Sequence, residues 1–264
     1  MTVMGLGYLL VSGLLAGVLA GLLGIGGGTV LVPILVTLGY EPIQAVATSS
    51  LAIIITSASG SFQNWRMGYL NFQQVALLGL PAIVTAQFGV LIADYLPARW
   101  LLVAFALLLL LNIYLVGVRK RLALQALTAT AAEPSAPMNP VKMNPTVAGL
   151  LTGGTAGLLA GIFGIGGGVI MVPLQMLLLG EPIKRAIQTS LGVIVITAIA
   201  ATTGHALRGN VVWPAGIVLG LGGLISAQLS TRTLPKLPDP VVTLLFRSLL
   251  MVLVVYVLWQ AWQR

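Results

Sequence analysis

Gly21-Leu22-Leu23-Gly24-Ile25-Gly26-Gly27-Gly28 returns 140 residues later as Gly161-Ile162-Phe163-Gly164-Ile165-Gly166-Gly167-Gly168. Both copies interrupt apolar sequence, where clustered glycine weakens a helix by about 1 kcal/mol per residue relative to alanine. Broken backbone inside a bilayer is tolerated only where protein or a water-filled cavity surrounds it. Matched interruptions in two corresponding halves are the sequence pointer to a transporter's substrate site.

The surrounding composition sets the class. Of 264 residues, 58% are hydrophobic and 7% are charged, and the mean hydropathy is +1.05. A soluble domain typically has about 25% charged residues. Apolar runs long enough to cross a hydrocarbon core recur along the chain, so an all-α, polytopic membrane helical bundle is expected. The net charge of +8 fits basic loops that hold membrane topology. No basic stripe with interleaved aromatics points to nucleic acid. Cysteine is absent, which removes disulfides and thiolate metal sites. No His/Asp/Glu spacing suggests a metal, and no nucleophile–base pair suggests an enzyme. No cofactor is implied. The start of the chain lacks a basic n-region, so it reads as a first membrane helix, not a cleaved signal.

The first half divides into segments A (about 5–23), the glycine break, B (about 29–39), C (about 43–60), D (about 72–93) and E (about 99–118). A polar basic linker follows over 119–145, with Arg119, Lys120, Arg121 and Lys142. The expected division is a first transmembrane repeat over 1–118, the linker loop over 119–145, and a second repeat over 146–264. The duplication extends past glycine. Pro33 matches Pro173, Glu41-Pro42-Ile43 matches Glu181-Pro182-Ile183, and Ser50-Leu51 matches Ser190-Leu191. Ala86-Gln87 matches Ala227-Gln228 with one further residue of offset.

Segment B has about 11 residues and rises only about 17 Å. It cannot cross roughly 30 Å alone. Joined to A it predicts one discontinuous crossing, hence four crossings per half, eight in total, and two parallel halves. Arg66 and Arg208 then share the face of the basic linker, while Arg99, Arg232 and Lys236 fall on the other face and dissent. If B crosses separately, the halves have five spans each and are inverted.

A helix that stops and restarts leaves unpaired N–H groups and partial positive charge at the new N-terminus. Successive glycine N–H groups can form an anion-binding nest. Gly26, Gly27, Gly28 and Gly166, Gly167, Gly168 are therefore candidate substrate contacts. Gly13, Gly17 and Gly21, like Gly153, Gly157 and Gly161, are spaced four apart and suit close helix packing. Thr48-Ser49-Ser50 and Gln188-Thr189-Ser190 follow the Glu-Pro-Ile turns. Their hydroxyls can donate to an oxyanion, which makes Ser49, Ser50, Thr189 and Ser190 candidates too. Their bland alternative is a bond to a neighbouring helix or to their own i−4 carbonyl. Gln87 and Gln228 are paired amides that either contact substrate or clamp helices. Arg247 lies near the start of its segment and suits snorkelling. His205 is alone and near a loop.

The pattern Ala-Gly-Leu-Leu-Gly-Ile-Gly-Gly-Gly with a following proline, the Glu-Pro-Ile and Thr-Ser-Ser-Leu stretches, and their duplicate near residue 160 resemble the sulfite exporter TauE/SafE family. That family is also called the toluene sulfonate uptake permease family. The resemblance covers nearly the whole chain. It implies a bacterial or archaeal cytoplasmic (inner) membrane permease for sulfite, sulfonates or related organic anions, with an eight-helix duplication. The expected function is a secondary transporter of a small anionic substrate, in contact with membrane lipids and compatible with a homo-oligomer. The rival is a membrane scaffold or assembly subunit whose glycines only pack helices.

Overall fold

The computed structural model describes residues 3–129 and 144–262, with side chains over 5–115 and 144–262. The described chain is helical throughout. Its elements are α1 (Val3–Leu23), α2 (Gly28–Thr37), α3 (Pro42–Arg66), α4 (Phe72–Tyr95), α5 (Ala98–Ala129), α6 (Pro145–Phe163), α7 (Gly168–Leu178), α8 (Ile183–Ala206), α9 (Trp213–Thr233), a 3-10 turn (Leu234–Lys236) and α10 (Asp239–Trp262). Eight of these helices are long and apolar enough to cross a membrane; α2 and α7 are too short. Helix α5 continues to Ala129, past the segment end expected at 118. Lys142 lies outside the described residues.

Local signals explain where helices begin. Pro42 occupies the first turn of α3, behind a capping box formed by Glu41 and Gln44. The Asn71 side chain accepts from the N–H groups of Gln73 and Gln74 at the start of α4. Asn144 does the same for Thr146, with Pro145 in the first turn of α6. Each side-chain oxygen satisfies a donor that the helix itself leaves unpaired.

The glycine stripes decide how helices associate. A Cβ on Gly13, Gly17 or Gly21 would strike α9 backbone or hydroxyl atoms, starting with the Leu219 carbonyl oxygen at 2.0 Å. One on Gly153, Gly157 or Gly161 would strike α4, starting with the Leu78 carbonyl oxygen at 2.0 Å. These are backbone-to-backbone approaches of the small-xxx-small kind. Each helix that leads into a break thus packs on a helix from the other half of the chain.

The same contacts fix helix direction. Gly13 meets Leu219 and Gly17 meets Gly223, so α1 and α9 are parallel. Gly216 meets Leu51 and Gly220 meets Ile55, so α3 runs with them. Gly153 meets Leu78 and Gly161 meets Ala86, while Gly79 meets Ile196 and the Gln87 amide reaches Ala200. Helices α4, α6 and α8 are therefore mutually parallel. Asn64 bonds the Gln188 carbonyl and Gly60 faces Leu191, so α3 and α8 are antiparallel. It follows that α1 and α6 point in opposite directions.

This corrects the expected parallel halves. Because α1 and α3 share a direction, α2 must carry the chain back from the break; α7 does so between α6 and α8. The break is a reversal, not a pause in one crossing. Opposed halves place Arg66, Lys184, Arg185, Arg232 and Lys236 at one face. That face holds the end of α3, the start of α6 and the start of α10. Arg99 and Arg208 lie at the other face, with the starts of α1 and α3. Arg66 and Arg208 are consequently on opposite faces, and the dissent of Arg232 and Lys236 disappears.

Candidate functional site

The two glycine breaks meet in the interior of the bundle. A Cβ on Gly28 would come within 2.5 Å of the Gly164 carbonyl oxygen and 2.8 Å of Ile165 Cα. One on Gly168 would come within 2.2 Å of the Gly24 carbonyl oxygen and 2.9 Å of Ile25 Cα. The N-terminal ends of α2 and α7 thus face the opposite break. Gly24, Gly26 and Gly27 have φ of 66°, 71° and 80°, and Gly164, Gly166 and Gly167 have 61°, 69° and 79°. Only glycine holds such a run of left-handed backbone without strain.

The cost of the reversal is visible in its amides. Gly24 N–H still bonds Ala20 and Gly164 N–H bonds Ala160. The N–H groups of Ile25, Gly26 and Gly27, and of Ile165, Gly166 and Gly167, donate to no acceptor among the described hydrogen bonds. Ile25 and Ile165 are fully buried. Buried amides are almost always paired, so this cluster is a candidate place for a further acceptor.

The carbonyls freed at the breaks, by contrast, are answered by hydroxyls. Ser190 donates to the Gly24 carbonyl at 2.9 Å, and Ser49 donates to the Gly164 carbonyl at 2.8 Å. Thr197 donates to the Gly166 carbonyl at 2.8 Å; Thr56 approaches that of Gly26 at 3.5 Å. These pairings put Ser49 opposite Ser190 and Thr56 opposite Thr197, a shift of one residue from the Ser50–Ser190 match read in the sequence. Ser50 instead bonds its own helix at Val46. Thr48 accepts from Val212 N–H at the start of α9. The Thr189 hydroxyl is buried without a partner.

The six candidate glycines separate by environment. Gly28 and Gly168 are locked by backbone of the opposing break. Gly27 and Gly167 press on the Ala16 and Ala156 carbonyls, at 2.8 and 2.5 Å from an added Cβ. Gly26 and Gly166 face mainly the side chains of Ile53 and Ile194. These two isoleucines are fully buried and cross above the breaks on α3 and α8. Their side chains cover Gly26 and Gly166 in both breaks. Nothing in an apolar sequence marks an isoleucine as the cover of a glycine break, which is why sequence reasoning missed them.

Gln87 and Gln228 do not join this cluster. The Gln87 amide donates to the Ala200 carbonyl at 2.7 Å and clamps α4 to α8. It also lines a lateral cavity of about 360 Å³ with Ile83, Ile196, Ile199, Ala200 and Thr203. Gln228 is half-buried and makes none of the described hydrogen bonds. Lys184 pairs with Asp239 at 3.2 Å and Arg185 with Glu181 at 3.3 Å, so these basic residues are neutralised at one face. Among the described residues no group of His, Asp or Glu could hold a metal ion.

The chain is a polytopic helical bundle with two apposed glycine reversals at its centre, an arrangement of the kind found at the substrate sites of secondary transporters. The family profile described as Sulfite exporter TauE/SafE matches residues 9–257, and the chain belongs to that family. Its relatives include a probable membrane transporter protein, YunE, of Bacillus subtilis, 27% identical over 93% of this chain and 94% of its own length. Another is a probable membrane transporter protein of Methanocaldococcus jannaschii, 26% identical over 95% and 94%. A Haemophilus influenzae probable membrane transporter protein is 44% identical over 26% of this chain and 29% of its own. No solved structure matches.

Proposed function

We propose that the protein is a secondary transporter of small sulfur-containing or organic anions, such as sulfite or sulfonates, in the cytoplasmic membrane. The observation that supports this most is the set of six amides at the meeting of the two breaks that donate to no acceptor among the described hydrogen bonds. The N-termini of α2 and α7 add partial positive charge, about half a unit each. Such a cradle suits an acceptor-rich anion and offers a cation little. Gly26 and Gly166 are the natural contact points, since side chains rather than backbone cover them. Ile53 and Ile194 would move aside for substrate, and the inverted halves would expose the cradle to each face in turn.

Purified protein in liposomes tests the function. Saturable uptake of sulfite or sulfoacetate, without saturable sodium or potassium flux, is expected. Ile53→Asp places a carboxylate against the amides and should abolish that flux; Ile53→Asn, similar in size and uncharged, should retain part of it. Equal flux through the two variants would remove the cradle from the pathway, and cation flux alone would overturn the anion reading.

A further inference from the structure

Among the described residues, the buried polar side chains are hydroxyls and amides, with one exception. His205 is fully buried, and it is the chain's single histidine. The described carboxylates sit at helix ends and turns. A cradle of backbone amides cannot bind a proton, so any proton carried with the anion needs another site.

His205 lies in the last turn of α8, and its Nε2 is 3.0 Å from the Gly161 carbonyl oxygen. Helix α6 stops before the break, so that carbonyl receives no bond from Ile165 N–H. Nε2 therefore donates and Nδ1 is the bare acceptor. Nδ1 is buried and without a partner. The ring is thus tethered to the helix end that leads into the second break.

The other half supplies a control. In the register that pairs Ser49 with Ser190, His205 corresponds to Asn64 on α3. Asn64 is fully buried, bonds the Gln188 carbonyl, and leaves its Oδ1 without a partner. Three residues earlier on each helix, the Ser61 and Thr202 hydroxyls are also unpartnered. Unpaired polar atoms thus flank the breaks towards both faces, and only the His205 side can take up a proton.

We propose that His205 Nδ1 is the proton-binding site that couples proton movement to anion passage, loaded from the face where Arg208 and Asp94 lie. The proposal rests on the anion-transport function above. A proton from water at that face bonds to the Nδ1 lone pair. The imidazolium keeps its Nε2–H bond to Gly161 and adds a positive charge near the cradle; the proton returns to water once the anion has left. Around this site α4 contributes Asp94 and α8 itself contributes Arg208, joined at 3.6 Å. Asn210 also holds the Asp94 carboxylate. Arg66 of α3 and Asp239 and Arg247 of α10 lie at or towards the opposite face, and α1, α6 and α7 bring no described charged side chain to the ring.

Protein carrying a tag without histidine, labelled with ¹⁵N-histidine, gives signals from this ring alone. With sulfoacetate present, the Nδ1 signal should move as the pH is lowered from about 8 to about 4 while the Nε2–H signal persists. A ring insensitive to pH over that interval would overturn the proposal, and this measurement needs no variant to fold. In liposomes holding a pH-sensitive dye, sulfoacetate flux should drive proton flux in the parent. His205→Asn and His205→Gln should lose the proton flux and keep downhill sulfoacetate flux. Proton flux unchanged in either variant would also overturn it. Absence of sulfite and sulfoacetate flux in the parent would strike the transport function instead, and the ring titration would still report on Nδ1.

Discussion

Ser190 Oγ on α8 lies 2.9 Å from the carbonyl oxygen of Gly24, in the break of the other half. Ser49 on α3 returns the contact to Gly164. Each hydroxyl also bonds its own helix three residues back, at Ile187 and at Val46. The serines therefore staple each glycine reversal to the long helix of the opposite half. They serve the carbonyl side of the break, not its amides.

Removing either staple should cost stability more than transport specificity. Ser49→Ala and Ser190→Ala strand a buried carbonyl, worth about 1–3 kcal/mol each. Ser50→Ala loses only a bond within its own helix and should cost less, about 0.5–1.5 kcal/mol. Thermal unfolding in detergent reads the order directly. A Ser50 variant less stable than both others would restore the pairing read from the sequence.

Gly27→Ala and Gly167→Ala fall in the same class. Their positive φ and the Ala16 and Ala156 carbonyls within 3 Å of the new methyl predict unstable protein, by about 1–3 kcal/mol for overpacking alone. Normal melting of either variant would contradict the close packing behind the breaks.

The glycine octapeptides made the breaks, the all-helical class and the packing stripes legible, because Gly13 and Gly153 have no other reason to recur at a four-residue spacing. Direction was not legible. An 11-residue apolar segment after a break has the same composition whether it completes a crossing or turns back. The choice is made by which stripe meets which helix, Gly13 on Leu219 and Gly153 on Leu78. The offset also changes by one residue between the Glu-Pro-Ile turn and the Thr-Ser pair, and Ser50 beside Ser49 hid that change. His205 stood in the sequence as a lone histidine near a loop; in the fold it falls in the last turn of α8, where the end of α6 covers it.

The stripes themselves can be tested against an internal control. Gly13→Ala and Gly153→Ala drive a methyl to within 2.0 Å of carbonyl oxygens on α9 and α4. Backbone cannot yield as a side-chain tip does, so a loss of at least about 1–3 kcal/mol is expected. Gly7→Ala on α1 meets nothing within 4 Å and should be neutral or stabilising by up to about 1 kcal/mol through helix propensity. Unfolding midpoints of the three variants check this. A Gly13 variant as stable as the Gly7 variant would mean that α1 does not pack on α9 as described.

Membrane orientation gives the sharpest test of the inverted halves. Basic residues favour the cytoplasmic face. Arg66, Lys184, Arg185, Arg232 and Lys236 share one face, against Arg99 and Arg208 on the other, so the former face should be cytoplasmic. The turn after α3 then lies inside the cell and the turn after α8 outside. Tyr69 and Leu207 are exposed in those turns, and the chain has no background cysteine. Leu207→Cys should react with an impermeant thiol reagent in intact cells, whereas Tyr69→Cys should react only after permeabilisation. Parallel halves would put both turns on one face and label them together. The reverse pattern, with Tyr69→Cys alone reactive from outside, would keep the inverted fold and refute the orientation drawn from its charges.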